Sequence, residues 1–236
     1  SKNNKFRFQD SEAEKLVKTA TKNSAKLIWL CTPNNPTGQI TDLSTIKKIA
    51  KKLPDSLIII NEVYQEYYSF NKKSSAVSLI RQVPNIVVIR SFSKALGLAG
   101  VRAGYVVADS KVISHFENFR TMYNLSSYAQ EKAVSVLSPK KLEGIKSLLK
   151  AISKEREKLS NLIKRMSNLE IIDDSRTNFL FLRHKKKDLF SELYKKNIVA
   201  GDWRQALGIE GEGFVRISVN IPKFNSKLLE SLEVIN

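Results

Sequence analysis

Cysteine is almost absent from this 236-residue chain, with Cys31 standing alone. A single thiol excludes an intrachain disulfide and a cysteine-based metal site. Histidine is nearly as scarce. His115 and His184 lie far apart in sequence, so the chain offers no metal-ligand cluster. Long apolar runs are missing as well, since none approaches the ~18 residues that a bilayer-spanning helix requires. The polar opening Ser1-Lys2-Asn3-Asn4-Lys5 has no secretory h-region. These absences point to a reduced, cytoplasmic protein with no membrane partner. Acidic residues are in short supply too, 23 Asp+Glu against 40 Lys+Arg, for a formal net charge of +17. Such an excess raises nucleic acid or an anionic surface as a partner. The lysines are nevertheless dispersed over 47–52, 140–141, 185–187 and 195–196 without interleaved aromatics. That pattern reads as a solvated surface rather than a nucleic-acid footprint. The remaining balance, 42% hydrophobic and 27% charged, is that of an ordinary globular chain.

Apolar patterning predicts the elements. Ser11-Glu12-Ala13-Glu14 reads as a capping box opening a helix that runs to about residue 21. Residues 26–30, 56–60 and 86–89 form short apolar runs, the last two rich in β-branched side chains, as in strands buried on both faces. A helix at 43–53 lies between the first two strands, with Thr41 or Asp42 as its cap. Alternating strands and helices predict an α/β domain with a mostly parallel sheet. Further on, Leu142, Ile145, Leu149, Ile152, Leu159, Ile163 and Met166 recur at steps of three and four. They predict one long amphipathic helix, with Arg156 snorkelling from its apolar seam. Strands at 169–172, 178–182 and 214–219 and a helix at 187–196 complete a small α+β domain. His115 falls in a predicted helix at 112–122 and His184 in a surface loop, neither with a catalytic role. Cys31 reads as a small buried side chain.

Three polar clusters carry the chemistry, and each follows a buried strand. The first is Ser91-Phe92-Ser93-Lys94-Ala95-Leu96-Gly97-Leu98-Ala99-Gly100-Val101-Arg102. Hydroxyls, backbone N–H groups and a guanidinium in a glycine-containing loop suit a phosphate. A lysine held beside other cations is a candidate nucleophile. An ordinary loop with a solvated lysine fits that segment equally well. The second cluster, Pro33-Asn34-Asn35-Pro36-Thr37-Gly38, also suits a plain surface turn. The third is Asn61-Glu62-Val63-Tyr64. In open α/β sheets ligands bind beyond the carboxyl ends of the strands, so the three clusters converge on one rim.

The order strand–PNNPTG, strand–(D/N)E-x-Y, strand–S-x-S-K-x-x-G-L-A-G-x-R resembles the fold type I PLP-dependent aminotransferases, and most of all their histidinol-phosphate branch. The likeness runs from about Lys26 to the C-terminus. It implies the aspartate aminotransferase-like fold, with an incomplete large domain over 1–138, a connecting helix over 139–167 and a small domain over 168–236. It implies pyridoxal 5′-phosphate as cofactor, with Lys94 bonded covalently to it and then carrying the substrate proton. Ser91, Ser93 and Arg102 would hold the phosphate, and Asn35 and Tyr64 the ring 3′-oxygen. Asn61 would face the pyridine nitrogen, and Arg216 would clamp a substrate carboxylate. Asn178 also matches the family pattern.

Three departures qualify the resemblance. The family has Asp where this chain has Asn61, and its charge keeps the ring nitrogen protonated. Glu62 cannot substitute, because adjacent strand residues point to opposite faces. The run Asn220-Ile221-Pro222-Lys223-Phe224-Asn225 departs from the family's Gly-Thr-rich stretch. Only 25 residues precede the first strand, and none supplies the family's N-terminal phosphate loop or ring-stacking aromatic. The expectation is therefore a fragment of a longer, homodimeric enzyme. The implied reaction moves an amino group between histidinol phosphate or an amino acid and a 2-oxo acid such as 2-oxoglutarate. A threonine-phosphate decarboxylase-like or aromatic aminotransferase activity is the alternative within the class. Outside it stands a weakened or inactive PLP-fold protein acting by binding only.

Overall fold

The computed structural model describes residues 6, 8–172, 174–206 and 208–236. The chain divides into two units, Arg7–Asn34 with Ile40–Ser147, and Ser1–Phe6 with Asn35–Gln39 and Leu148–Asn236.

The first unit opens with α1 (Asp10–Lys22) and β1 (Leu27–Cys31), followed by α2 (Leu43–Lys52) and β2 (Leu57–Asn61). The start of α1 differs from the Ser11 cap expected. Gln9 is the N-cap, and Glu12, three residues on, accepts from the Gln9 N–H at 3.3 Å. Ser11 sits inside the first turn and donates to the same carboxylate at 2.7 Å. The short α3 (Gln65–Tyr68) leads to β3 (Ile86–Ser91) and β4 (Gly104–Val107). The sheet order is β1-β2-β3-β4, the first three parallel and β4 antiparallel to β3. Alternate residues Ile28, Leu30, Ile58, Ile60, Ile86 and Val88 face one core against Ala13, Ala20, Ile46 and Ile49 of the helices. β-Branched side chains suit this packed face, where truncating one buried isoleucine to alanine costs about 2–5 kcal/mol.

Below the carboxyl end of β2, Glu62 is 1% exposed and fully engaged. Its carboxylate accepts from Arg90 Nε at 2.9 Å, Ser75 Oγ at 2.6 Å and the Ala76 N–H at 2.7 Å. Arg90 also donates to Glu66 Oε1 at 2.6 Å. Glu62 thus ties the segment after α3 to β3 and turns away from Asn61, as strand alternation requires.

α4 (Ser110–Glu117) and α5 (Ser127–Val136) follow, capped by Asp109 and Ser126. α4 ends short of the expected 112–122 span, and beyond it Phe119, Met122 and Tyr123 are exposed. α6 (Pro139–Ile163) is the single long helix that its apolar stripe predicts, and from Leu148 onward it belongs to the second unit. Arg156 does not snorkel. It is 5% exposed and donates to the Thr177 carbonyl at 3.0 Å and to Ser153 Oγ at 2.8 Å. A buried guanidinium needs acceptors, and these supply them.

The second unit adds β5 (Leu169–Ile172), β6 (Phe179–His184), α7 (Leu189–Lys195), β7 (Gly201–Asp202), β8 (Val215–Ser218) and α8 (Pro222–Ile235). Its sheet is antiparallel throughout, in the order β5-β6-β8-β7. Leu159, Ile163, Leu180, Leu182, Val215, Leu228 and Leu232 form its core. His184 was expected on a surface loop but ends β6, 5% exposed. Its Nδ1 accepts from the Lys186 and Lys187 N–H groups at 3.0 and 2.8 Å, turning the chain after the strand. Among the described residues no helix is long and apolar enough to cross a membrane, and no group of His, Cys, Asp and Glu could hold a metal ion. Cys31 is half-buried rather than buried.

Candidate active site

In the first unit, parallel register sets Cys31, Asn61 and Ile89 side by side at the carboxyl ends of β1, β2 and β3. Asn61 is the last residue of β2. Its Oδ1 accepts from the Val63 N–H at 3.2 Å, which leaves the amide NH2 as its outward end. Tyr64, the residue after that turn, is 7% exposed. The Lys94 ammonium lies 5.4 Å from the centroid of the Tyr64 ring. A cation facing an aromatic ring at this distance is attracted to it. Tyr67 packs near Tyr64 with centroids 6.3 Å apart, and burial, then the neighbouring Tyr64 and Glu66, push its hydroxyl up to about 12.

Lys94 rides on the loop between β3 and β4. Three features fix that loop: the Phe92 N–H donates to the Ala103 carbonyl at 3.1 Å, Leu98 N–H to Phe92 at 2.9 Å, and Gly97 N–H to Lys94 at 3.0 Å. Gly97 has φ +72°, a conformation that costs glycine nothing. Phe92, Leu96 and Ala103 anchor the loop in a small core with Val136. The polar residues are held at the surface of this anchored loop. Ser91 Oγ accepts from the Ser93 N–H at 3.0 Å. Arg102 takes a left-handed φ of 58°, and its guanidinium donates to the Ala99 carbonyl at 2.9 Å. Among the described residues neither Lys94 nor Arg102 has an acidic partner. One segment thus carries two cations without acidic partners and two hydroxyls, the donor types that an anion calls for.

The second unit holds Asn35 and Arg216. Arg216, on β8, donates through NH1 to Asn35 Oδ1 at 2.6 Å, across 181 residues of sequence. Its guanidinium carbon lies 4.8 Å from the Phe179 ring centroid. Its Nε–H is buried without an acceptor. An orphaned buried donor costs about 1–3 kcal/mol, which a carboxylate would recover.

The eight residues thus fall into local groups: Lys94 with Tyr64, Ser91 with Ser93, and Asn35 with Arg216. Asn61 and Arg102 instead contact backbone of their own turns. Sequence reasoning missed what seats Asn35. Gly38 has φ +74°, and a Cβ there would lie 2.1 Å from Ser175 Oγ and 2.9 Å from Thr177 Oγ1. The Arg176 N–H donates to the Gly38 carbonyl at 2.8 Å. The only signal in the sequence was the glycine closing a turn.

Comparison with known proteins follows the same lines. The model of the family "aminotransferase class I and II" matches residues 1–232. The histidinol-phosphate aminotransferase of Thermoanaerobacter pseudethanolicus is 31% identical over 223 residues, covering 94% of this chain and 60% of that protein. The chain therefore spans about three fifths of the curated relative it matches. Among solved structures, the Clostridium acetobutylicum histidinol-phosphate aminotransferase superposes with a TM-score of 0.86 at 22% identity, covering 95% of this chain and 67% of that one. The Sinorhizobium meliloti histidinol-phosphate aminotransferase, solved in complex with pyridoxal-5′-phosphate, gives 0.80 at 22% identity over 95% and 62%. At these identities the structures establish the fold, an incomplete aminotransferase large domain with a small α+β domain. The family match over nearly the whole chain establishes the rest: this polypeptide belongs to the class I and II aminotransferases.

Proposed function

We propose that this chain carries the cofactor-binding and carboxylate-binding residues of a PLP-dependent aminotransferase of the histidinol-phosphate type. The observation that carries the reading is the end of β3 and the anchored loop after it, which bear two hydroxyls, Ser91 and Ser93, and two acid-free cations, Lys94 and Arg102. That donor set fits a phosphorylated aldehyde, which needs a phosphate cradle and an amine. PLP, when bound, supplies an electron sink that stabilises negative charge at the substrate Cα.

The chain's own residues supply the rest. Ser91, Ser93 and Arg102 bind the phosphate, with the guanidinium providing charge and the hydroxyls direction. Lys94 would be the amine that holds PLP through its aldehyde carbon and the base that would take and return the substrate Cα proton. The ring of Tyr64 limits the space open to the Lys94 side chain. Asn35 and Tyr64 are the residues that would hydrogen-bond the ring 3′-oxygen. Asn35 would do so with its NH2, since its Oδ1 is taken by Arg216. Arg216 binds the substrate carboxylate, its idle Nε–H gaining an acceptor. Histidinol phosphate has no carboxylate, so Arg216 serves the half-reaction of glutamate and 2-oxoglutarate. Asn61, with its Oδ1 taken by the Val63 N–H, would offer the pyridine nitrogen only a neutral donor, where a carboxylate would hold a proton on that nitrogen. This favours slow chemistry and gives the binding-only reading its one specific support. The protein so described works in the cytoplasm on small molecules, as a homodimer at full length.

The test is single-turnover conversion of bound PLP to pyridoxamine phosphate, followed by chromatography with glutamate or histidinol phosphate as donor. Conversion that requires Lys94 and Arg216 for glutamate, but only Lys94 for histidinol phosphate, supports the assignment. Conversion unaffected by Lys94→Ala contradicts it.

A further inference from the structure

The second unit holds a polar cavity that the proposed reaction does not use. Its volume is about 260 Å3, and residues of α6 and of the segment before β6 line it, among them Arg156, Ser160, Asn161, Lys164 and Arg176. Neither Asn35 nor Arg216 is in its wall.

Arg156 is the built part of this wall. Its side chain is 6% exposed. NH1 donates to the Thr177 carbonyl, and NH2 to Ser153 Oγ and, at 3.5 Å, to Glu157 Oε1. A guanidinium has donors to spare beyond these. The Nε–H and the second hydrogen on NH1 find no acceptor among the described residues. The Glu157 side chain is 63% exposed, and a carboxylate so placed compensates a cation weakly.

Arg176 faces the same space. Its backbone N–H is fixed by the Gly38 carbonyl at 2.8 Å, while its guanidinium has no protein partner among the described residues. Burial pulls the Arg156 guanidinium below its ordinary value; Glu157 opposes this and Arg176 adds to it, so the two arginines feel each other's charge. Ser160 and Asn161 contribute a hydroxyl and an amide that are likewise unengaged among the described residues. With Lys164, three cations face two acids, Glu157 and Asp174. Like charges turned into one cavity, one of them buried, are relieved by an anion between them.

We infer that this cavity binds a phosphate group, carried by a small phosphomonoester or free as inorganic phosphate. Arg156 supplies an N–H held in place by Thr177 and Ser153, Arg176 an exposed guanidinium, and Ser160 a hydroxyl. Donors arriving from several directions suit the oxygens of a phosphate better than the two of a planar carboxylate. The site is separate from the loop of Lys94 and does not rest on the PLP reading.

The probe is inorganic phosphate, titrated into the nitrogen-15-labelled 236-residue chain at constant ionic strength and followed by NMR. Glycerol 3-phosphate and chloride are titrated in parallel. The Arg156 Nε–H and the Arg176 amide report this cavity, and the Ser93 amide reports the loop of Lys94, so the two sites succeed or fail independently. Saturable shifts are expected at Arg156 Nε–H and Arg176. Arg176→Gln alters an exposed side chain, keeps the fold and should raise the midpoint at this cavity by about tenfold or more, with the midpoint at Ser93 unchanged. A lower midpoint for glycerol 3-phosphate supports the site and assigns it to an ester; an equal or higher one supports it and assigns it to free phosphate. An unmoved Arg156 Nε–H, equal shifts with chloride, or undiminished affinity in Arg176→Gln each overturns the inference.

Discussion

Replacing Gly38 with alanine probes the contact that seats Asn35. A left-handed φ costs an L-residue about 1–2 kcal/mol. The new Cβ would stand 2.1 Å from Ser175 Oγ and 2.7 Å from Ser175 Cβ, far inside van der Waals contact. Ser175 is the atom group that must yield, and it is not idle. Its Oγ donates to the Phe179 carbonyl at 2.7 Å and lies 3.0 Å from Thr177 Oγ1. Losing both adds about 2 kcal/mol at roughly 1 kcal/mol each. Gly38→Ala should therefore destabilise the second unit by about 3–4 kcal/mol. Urea unfolding followed by tryptophan fluorescence at Trp203 reads the loss as a lower midpoint at unchanged slope. A loss under about 1 kcal/mol would refute the reasoning.

Three further outcomes follow from the geometry. Glu62→Ala should cost about 3 kcal/mol or more of stability, because it strips the acceptor from three buried donors, Arg90 Nε–H, the Ser75 hydroxyl and the Ala76 N–H, at about 1–3 kcal/mol each; chemical denaturation measures it. Asn61→Asp should speed the glutamate half-reaction by roughly tenfold or more, the equivalent of about 1.4 kcal/mol at the transition state, as followed by stopped-flow absorbance. His184 is held below its ordinary value by burial and then by Lys187 and Lys186. Its neutral form is thus the folded one, and the stability it contributes is present above about pH 6.5 and lost as pH falls towards the lowered folded value. A pH series of urea midpoints should show that decline in the native chain and not in His184→Asn.

Most of the frame was readable because its signals are local. The isoleucine run of β2 and the three-and-four spacing of α6 each declare their element without reference to the rest of the chain. β4 was missed because four residues, opening on a glycine after a glycine-bearing loop, carry no period of their own. α8 was passed over because its sequence was read as a departure from a family pattern. Pro222 at its first position was the available start signal. His184 was misplaced because three lysines follow it, whereas pairing with Leu169 carries β6 through it. The site divides the same way. The loop bearing Lys94 is contiguous and legible, but the Arg216–Asn35 bond and the fit of Gly38 against Ser175 join distant residues, and no local pattern encodes them.

The central claim is that Lys94 is the amine that PLP selects from the chain's many lysines. Incubation of the 236-residue chain with PLP, borohydride reduction and peptide mass mapping tests it directly. The account predicts a pyridoxyl adduct concentrated on Lys94, abolished by Lys94→Ala and weakened by Arg102→Ala. An adduct spread over surface lysines, or one that survives Lys94→Ala undiminished, would contradict it.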